Sequence, residues 1–297
     1  MVGRGELTDA AYERIAPLLP GVDGRGRPWR DHRQVINWVL WRLRTGAPWR
    51  DLPERFGPWQ TVYERFARWE ADGTWARLLE EVQVRDDSVG AVERTVSVDS
   101  TINRAHQHSA GARKGGAAPG DELEDPERAT AGQALGRSRG GLTTKVHLAC
   151  DGRGLPLAVL VTPGNVNDST AFNAVLDAVR VPRIGVGRPR RRPDAVIADK
   201  AYSSRAIRRT LRRRGIRAVI PERGDQKANR LRRGQAGGRP PAFDRELYKA
   251  RNVVERCFNR LKQFRAIATR FDKLAARYRA GLHLAALTLW LREPLSA

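Results

Sequence analysis

The chain has 297 residues, 40% of them hydrophobic, with 55 Lys and Arg against 33 Asp and Glu, a net charge of +22. Such a length builds a sizeable core and excludes a disordered chain, and the charge favours a polyanionic partner because neutralising phosphates releases counterions. Two cysteines, Cys150 and Cys257, form no CxxC pair, which excludes a zinc ribbon and a disulfide framework; no apolar signal core and no apolar run long enough to span a bilayer is present, so a cytoplasmic, nucleoid-associated protein with no membrane partner is expected.

Seven tryptophans (Trp29, Trp38, Trp41, Trp49, Trp59, Trp69 and Trp75) fall before residue 88, and the eighth is Trp290. Thr8 or Asp9 can cap a helix reaching Leu18. Asp31 opens a second, with Val35, Trp38, Val39 and Leu43 on one side and Gly46 just past its end. Thr61 to Ala71 spaces Val62, Phe66 and Trp69 for one face, and Thr74 starts a fourth helix with Leu78, Leu79 and Val82. With Arg25, Arg27, Arg30 and Arg33 among them, residues 1–88 read as a small all-α, helix-turn-helix-like DNA-binding domain.

From residue 89 the pattern turns to strands. Val96 and Val98 lead to Asp99, Thr143–Cys150 alternates, Asp151-Gly152-Arg153-Gly154 is a hairpin turn, and Leu155–Thr162 returns. Asn167 or Asp168 caps a helix to Val179. Ala195–Ala198 is a buried strand ending at Asp199, Ser203 or Ser204 caps a helix to Arg214, and Arg217–Ile220 is a fifth strand. A long helix over 244–265 and an apolar one over 276–292 complete an α/β mixed sheet flanked by helices over 89–297. Residues 104–141, 185–193 and 222–243 read as basic loops able to meet nucleic acid.

On the 244–265 helix, at 100° per residue, Tyr248, Arg251 and Lys262 lie about +20°, −40° and −20° from Glu255. All four share one polar stripe, while Val254, Cys257, Phe258 and Leu261 point elsewhere. Three carboxylates, Asp99 in VSVDST, Asp199 in AVIADKAY and Glu255, are thus candidates to hold two divalent ions over a phosphodiester. Mg²⁺ suits hard carboxylate oxygens, and an ion pair about 3.5–4 Å apart serves both the attacking and the leaving oxygen. Asp99 would bridge the ions, with Asp199 and Glu255 each completing one. Arg251 and Lys262 suit phosphate contact, and Tyr248 the DNA backbone. Arg104 and His106, just after the first aspartate, read as loop residues near DNA; His106 and His108 lack a third ligand. His147 reads as core, and Ser100 and Thr101 as satisfying local backbone groups.

The spacing of Tyr248, Arg251, Glu255 and Lys262, the two aspartate motifs, the stretch GRSRGGLTTKVHLACDGRGLPLAVLVTPGNVNDST and the Trp-rich N-terminus together resemble DDE transposases of bacterial insertion sequences, in the four/five superfamily and its "five" group. The short gap between the fifth strand and the glutamate helix leaves no room for the β insertion of some "four" members. The resemblance implies a ribonuclease-H-like catalytic core, binding to terminal inverted repeats, hydrolytic cutting, and joining of 3′-hydroxyl ends to target DNA. It also implies Mg²⁺ as cofactor, with Mn²⁺ as a substitute, and at least a homodimer when two ends are paired. A nuclease of the same fold that does not join strands, and a non-catalytic DNA-binding regulator, are the alternatives.

Overall fold

The computed structural model describes residues 5–21, 30–110, 133–183 and 189–292. Thr8 caps helix α1 (Asp9–Ile15), accepting from the Ala11 amide at 3.2 Å, and a 3₁₀ turn carries the chain to Leu18. Asp31 caps α2 (His32–Thr45), which Gly46 closes at φ 72°, the left-handed conformation that glycine takes without a Cβ clash. Helices α3 (Trp59–Ala71) and α4 (Thr74–Ser88) follow. Arg25 and Arg27 lie outside the described residues, and Arg33 is bound to Asp9 and to the Leu7 carbonyl.

The sheet contains β1 (Thr95–Ala105), β2 (Gly136–Ser138), β3 (Gly141–Cys150), β4 (Pro156–Pro163), β5 (Ala195–Ala198), β6 (Arg217–Val219) and the short β7 (Thr269–Arg270). β1 is central: it pairs antiparallel with β3 and parallel with β5, β4 extends the sheet antiparallel beyond β3, and β6 extends it parallel beyond β5. Asp151 shapes the β3–β4 turn by accepting from the amides of Arg153 and Leu155. This order is the ribonuclease-H-like mixed sheet. Helix α6 (Asp168–Ala178) and α7 (Arg205–Arg213) serve the crossovers.

Three loop expectations need correction. Within 104–141, β1 continues to Ala105, α5 (Gln107–Ala110) follows, and β2 adds to the sheet, while residues 111–132 lie outside the described residues. Within 222–243, α8 (Gly224–Arg232) and a 3₁₀ turn form. Its glycines lie at the start of α8 and beyond its end, so the intervening Asp-Gln-Lys-Ala-Asn-Arg-Leu-Arg run is free to be helical. Within 185–193, residues 185–188 lie outside the described residues, and Arg190 bridges back to Val181. The long 244–265 helix is also interrupted: α9 (Arg245–Tyr248) passes through a 3₁₀ turn at Lys249–Arg251 into α10 (Asn252–Lys262), and α11 (Arg265–Ala268) precedes β7.

The last helix, α12 (Ala275–Arg292), packs against α4, β4, α3 and α2. One hydrophobic core therefore runs from Leu7 to Leu291 and joins the N-terminal helices to the sheet. Trp69, Trp75 and Trp290 are wholly buried, with Trp69 and Trp75 edge to face at 4.9 Å. The Trp290 indole and the Gln83 amide both donate to the Pro156 carbonyl, at 2.7 and 3.0 Å, so α12 and α4 grip the same end of β4. Cys150 and Cys257 are free and buried, as expected of small apolar side chains. No described helix is long and apolar enough to cross a membrane.

Arg42 on α2 donates twice to Asp272, at 3.0 and 2.9 Å, with both side chains buried and the guanidinium over the Trp49 ring. Removing one partner leaves the other charge buried and uncompensated. Asp272→Ala should therefore lower unfolding stability by about 3–5 kcal/mol, while Glu246→Ala, breaking the exposed Lys249–Glu246 pair, should cost less than about 0.5 kcal/mol. Urea denaturation of the two variants measures the contrast.

Candidate active site

Pairing of Val98 with Ala198 in the parallel β1–β5 ladder puts the next residues, Asp99 and Asp199, side by side. Asp99 lies inside β1, its amide edge also paired with β3 at Leu148. Asp199 lies one residue past β5 and caps the 3₁₀ turn Lys200–Tyr202, accepting from the Ala201 amide at 2.8 Å. Glu255 stands in the first turn of α10, half exposed, across from β1.

Arg251 links them. Its Nη2 donates to Asp99 Oδ2 at 3.0 Å and its Nη1 to Glu255 Oε1 at 2.8 Å. Burial pushes the Asp99 carboxyl above the ordinary carboxylate range; the Ser100 amide and Arg251 pull it down, and Asp199 and Asp168 add to the rise. Burial works against the charge on Arg251, but Asp99, with Tyr248, Glu255 and Asp199, holds its pKa above normal. Lys262 donates from Nζ to Thr101 Oγ1 at 2.7 Å, two residues along β1 on the Asp99 face, and burial lowers its pKa. Tyr248 is not simply a surface group: it packs against Ala195, Ile197 and Val219 and lies 5.1 Å from the Phe243 ring. Arg251, Glu255, Lys262 and Tyr248 are thus gathered around the two aspartates.

Arg104 and His106 are not. They sit at the far end of β1, Arg104 exposed, His106 against Phe271 at 4.9 Å with its amide donating to the Arg270 carbonyl. A second group was not foreseen. On the opposite face of β1, Ser100 pairs with His147, and Lys145 forms an ion pair with Asp168 at 2.7 Å. Burial opposes the charge on Asp168, yet Lys145, with Ser100 and His147, holds its pKa below the ordinary value. Asn167, not Asp168, caps α6, which frees Asp168 for this contact; the alternation of Lys145 and His147 along a buried strand was the available signal. Ser100 and Thr101 consequently serve side chains, not only local backbone.

The donor set suits a divalent cation in kind, since all three candidates offer hard carboxylate oxygens, and Arg251 already stands as a positive charge between two of them. As they are placed, no three His, Cys, Asp or Glu side chains among the described residues are close enough to hold one ion together.

A mixed sheet of this order with two adjacent aspartates on its central strands defines the ribonuclease-H-like class. The chain belongs to the family described as "Transposase DDE domain", which matches residues 90–291, and residues 7–79 match "Putative transposase of IS4/5 family". It is 33% identical over 151 residues to "Putative transposase for insertion sequence element IS6501" of Brucella ovis, covering 51% of this chain and 100% of that one. It is 38% identical over 153 residues to "Putative transposase for insertion sequence element IS402" of Burkholderia cepacia, covering 52% of this chain and 62% of that one. Among solved structures, "Mos1 transposase paired-end complex with left transposon end" matches at 13% identity over 82% of each chain with a TM-score of 0.24, too distant a likeness to bear on chemistry.

Two outcomes are expected. Arg251→Ala should push the Asp99 pKa further up, because burial and Asp199 then act without the guanidinium; carboxyl-carbon NMR titration reads this, and an unmoved pKa would show that the bridge does not form in solution. His147, whose Nε2 lies 2.8 Å from Thr162 Oγ1, is pushed down to about 4, by burial first. Its unfolded form therefore binds the proton first, so stability should fall as pH drops from about 6.5 towards 4, by up to about 3 kcal/mol from this residue. His147→Gln should lessen the fall of the urea midpoint across that window, leaving the part due to His283, which burial also pushes down to about 4.

Proposed function

We propose that the protein is a transposase that binds the terminal inverted repeats of an insertion sequence, cuts its strands and joins the 3′-hydroxyl ends to target DNA. The observation that carries this reading is the shared Arg251 contact to Asp99 and Glu255 beside Asp199, in a chain of the transposase DDE family. Residues 89–297 would form the catalytic unit and residues 1–88 a helix-turn-helix-like unit contacting the repeat.

Asp99, Asp199 and Glu255 would hold two Mg²⁺ ions, with Mn²⁺ as a substitute, which when bound activate the attacking hydroxyl and stabilise the leaving oxygen. Arg251, released from the carboxylates, is within reach to pair bidentately with a phosphate. Lys262 offers a point charge to a neighbouring phosphate, held on the Asp99 side of β1 by Thr101. Tyr248, fixed by packing on the sheet, presents its hydroxyl to the DNA backbone. Arg104 and His106 would contact the duplex about 20 Å along β1 from Asp99, at ~3.3 Å per residue. The route is an in-line displacement in two rounds, by water and then by the freed 3′-hydroxyl, with at least two copies pairing the two ends.

Labelled DNA carrying the repeats that flank the gene should be cut at the repeat ends with Mg²⁺ and left whole in EDTA. Glu255→Gln should reduce cutting by at least about 100-fold, the scale of losing a metal-site contact worth a few kcal/mol. Joined products would separate this activity from a plain nuclease. Tight binding with no cutting under any divalent metal would leave a non-catalytic DNA-binding protein.

A further inference from the structure

Helix α7 begins six residues after Asp199 and carries Arg205, Arg208, Arg209 and Arg212 within about a third of a turn, opposite the buried Ile207 and Leu211. This stripe faces the segment at Arg239 across a groove of about 650 Å³. Arg205, Arg209, Arg212 and Arg239 have no carboxylate within ion-pair distance among the described residues. Glu222, the acid in the groove, is engaged by Arg230. Arg208 is occupied by the Ile220 carbonyl and Ser203 Oγ, so it shapes the floor. Four like charges gathered without counter-ions repel one another, a cost that an entering polyanion would reverse.

The groove also offers no free amide to read an adenine edge. Gln226, the amide best suited to a base edge, is consumed within the protein: its Oε1 accepts from Ser203 Oγ and its Nε2 donates to the Ser203 carbonyl. What remains is guanidinium beside Pro240 and Pro241, which pairs with phosphate, and a phosphate contact carries no sequence information. Ser203, buried at the lining of the groove, is four residues past Asp199, so the groove lies beside the segment that leaves that carboxylate.

We propose that the α7 groove binds the sugar-phosphate backbone of the target duplex, as a surface separate from the one that takes the element's ends. This rests on the transposase reading: a joining reaction needs one duplex chosen by sequence and a second accepted without it, and the arginine groove suits the second.

The test compares wild type with the triple variants Arg205→Gln/Arg209→Gln/Arg212→Gln and Arg205→Lys/Arg209→Lys/Arg212→Lys, full-length. Binding of a random-sequence duplex is followed by anisotropy against salt, and end cutting and joining are assayed on the same preparations. The Gln variant should flatten the log–log salt slope by about 2 to 3, near 0.9 per lost phosphate contact. It should cut ends within about twofold of wild type while joining to target falls at least about tenfold; the Lys variant should keep the slope. An unchanged slope would mean a solvated face and overturn the proposal. Equal loss of cutting and joining would assign the groove to the ends and also overturn it. A wild type that binds duplex yet never cuts would sink the transposase reading, and the groove would then stand or fall on the slope alone.

Discussion

The parallel pairing of β1 with β5 sets everything at the site. Because Val98 lies against Ala198, Asp99 within β1 and Asp199 just past the end of β5 stand adjacent, and a slip of one residue would turn one of them to the opposite face. The register is itself held by burial: Val96, Val98, Val196 and Ala198 belong to the main core, while Ala195 and Ile197 face a small separate cluster with Val219. Slipping would drive one set into the wrong layer. The hydrophobic alternation of two short strands thereby fixes the spacing of two charges.

Adjacent carboxylates repel, and the protein answers from the other side of the site. α10 brings Glu255, a third negative charge, but the turn before it brings Arg251, which reaches both Glu255 and Asp99. The 3₁₀ turn at Lys249–Arg251 tightens the chain between Tyr248, which is anchored on the sheet, and the regular helix beyond. One element thus supplies both the acid and its internal counter-charge. On the reverse face Lys145 does a similar service for Asp168, so that β1 is flanked by a compensated carboxylate on each side.

Much of this was legible in the amino-acid order. The alternation leading to Asp99 and along Thr143–Cys150, the turn at Asp151 and the cap Asp31 appear where local rules put them, and Thr8, Asn167 and Ser204 are each one of the two caps the order allows; Tyr248, Arg251 and Glu255 gather at the site, but on two helices joined by a 3₁₀ turn and not on one continuous stripe. What local rules missed depends on distant partners. α8 falls in a segment whose glycines and arginines carry the pattern of a loop. The local pattern ends the first strand near Asp99, and its continuation to Ala105 rests on pairing with β3 and β7 that no local pattern reveals. Nothing in the local order marks Arg42, and only the fold shows it buried against Asp272. The clustering of Ser100, Lys145 and Asp168 likewise needs the β1–β3 register to be known first.

The position of α12 bears on how the protein is made. The Trp-rich helices leave the ribosome early, yet the surface on which α4 and α3 pack is supplied by a helix synthesised much later. Until Leu284, Leu287 and Trp290 arrive, the growing chain lacks the apolar face on which α3 and α4 pack, and the Pro156 carbonyl lacks one of its two donors. Domains able to close early during translation do so as they emerge; this core closes only when its distant halves meet. The core that joins the N-terminal helices to the sheet therefore closes only once α12 has been made.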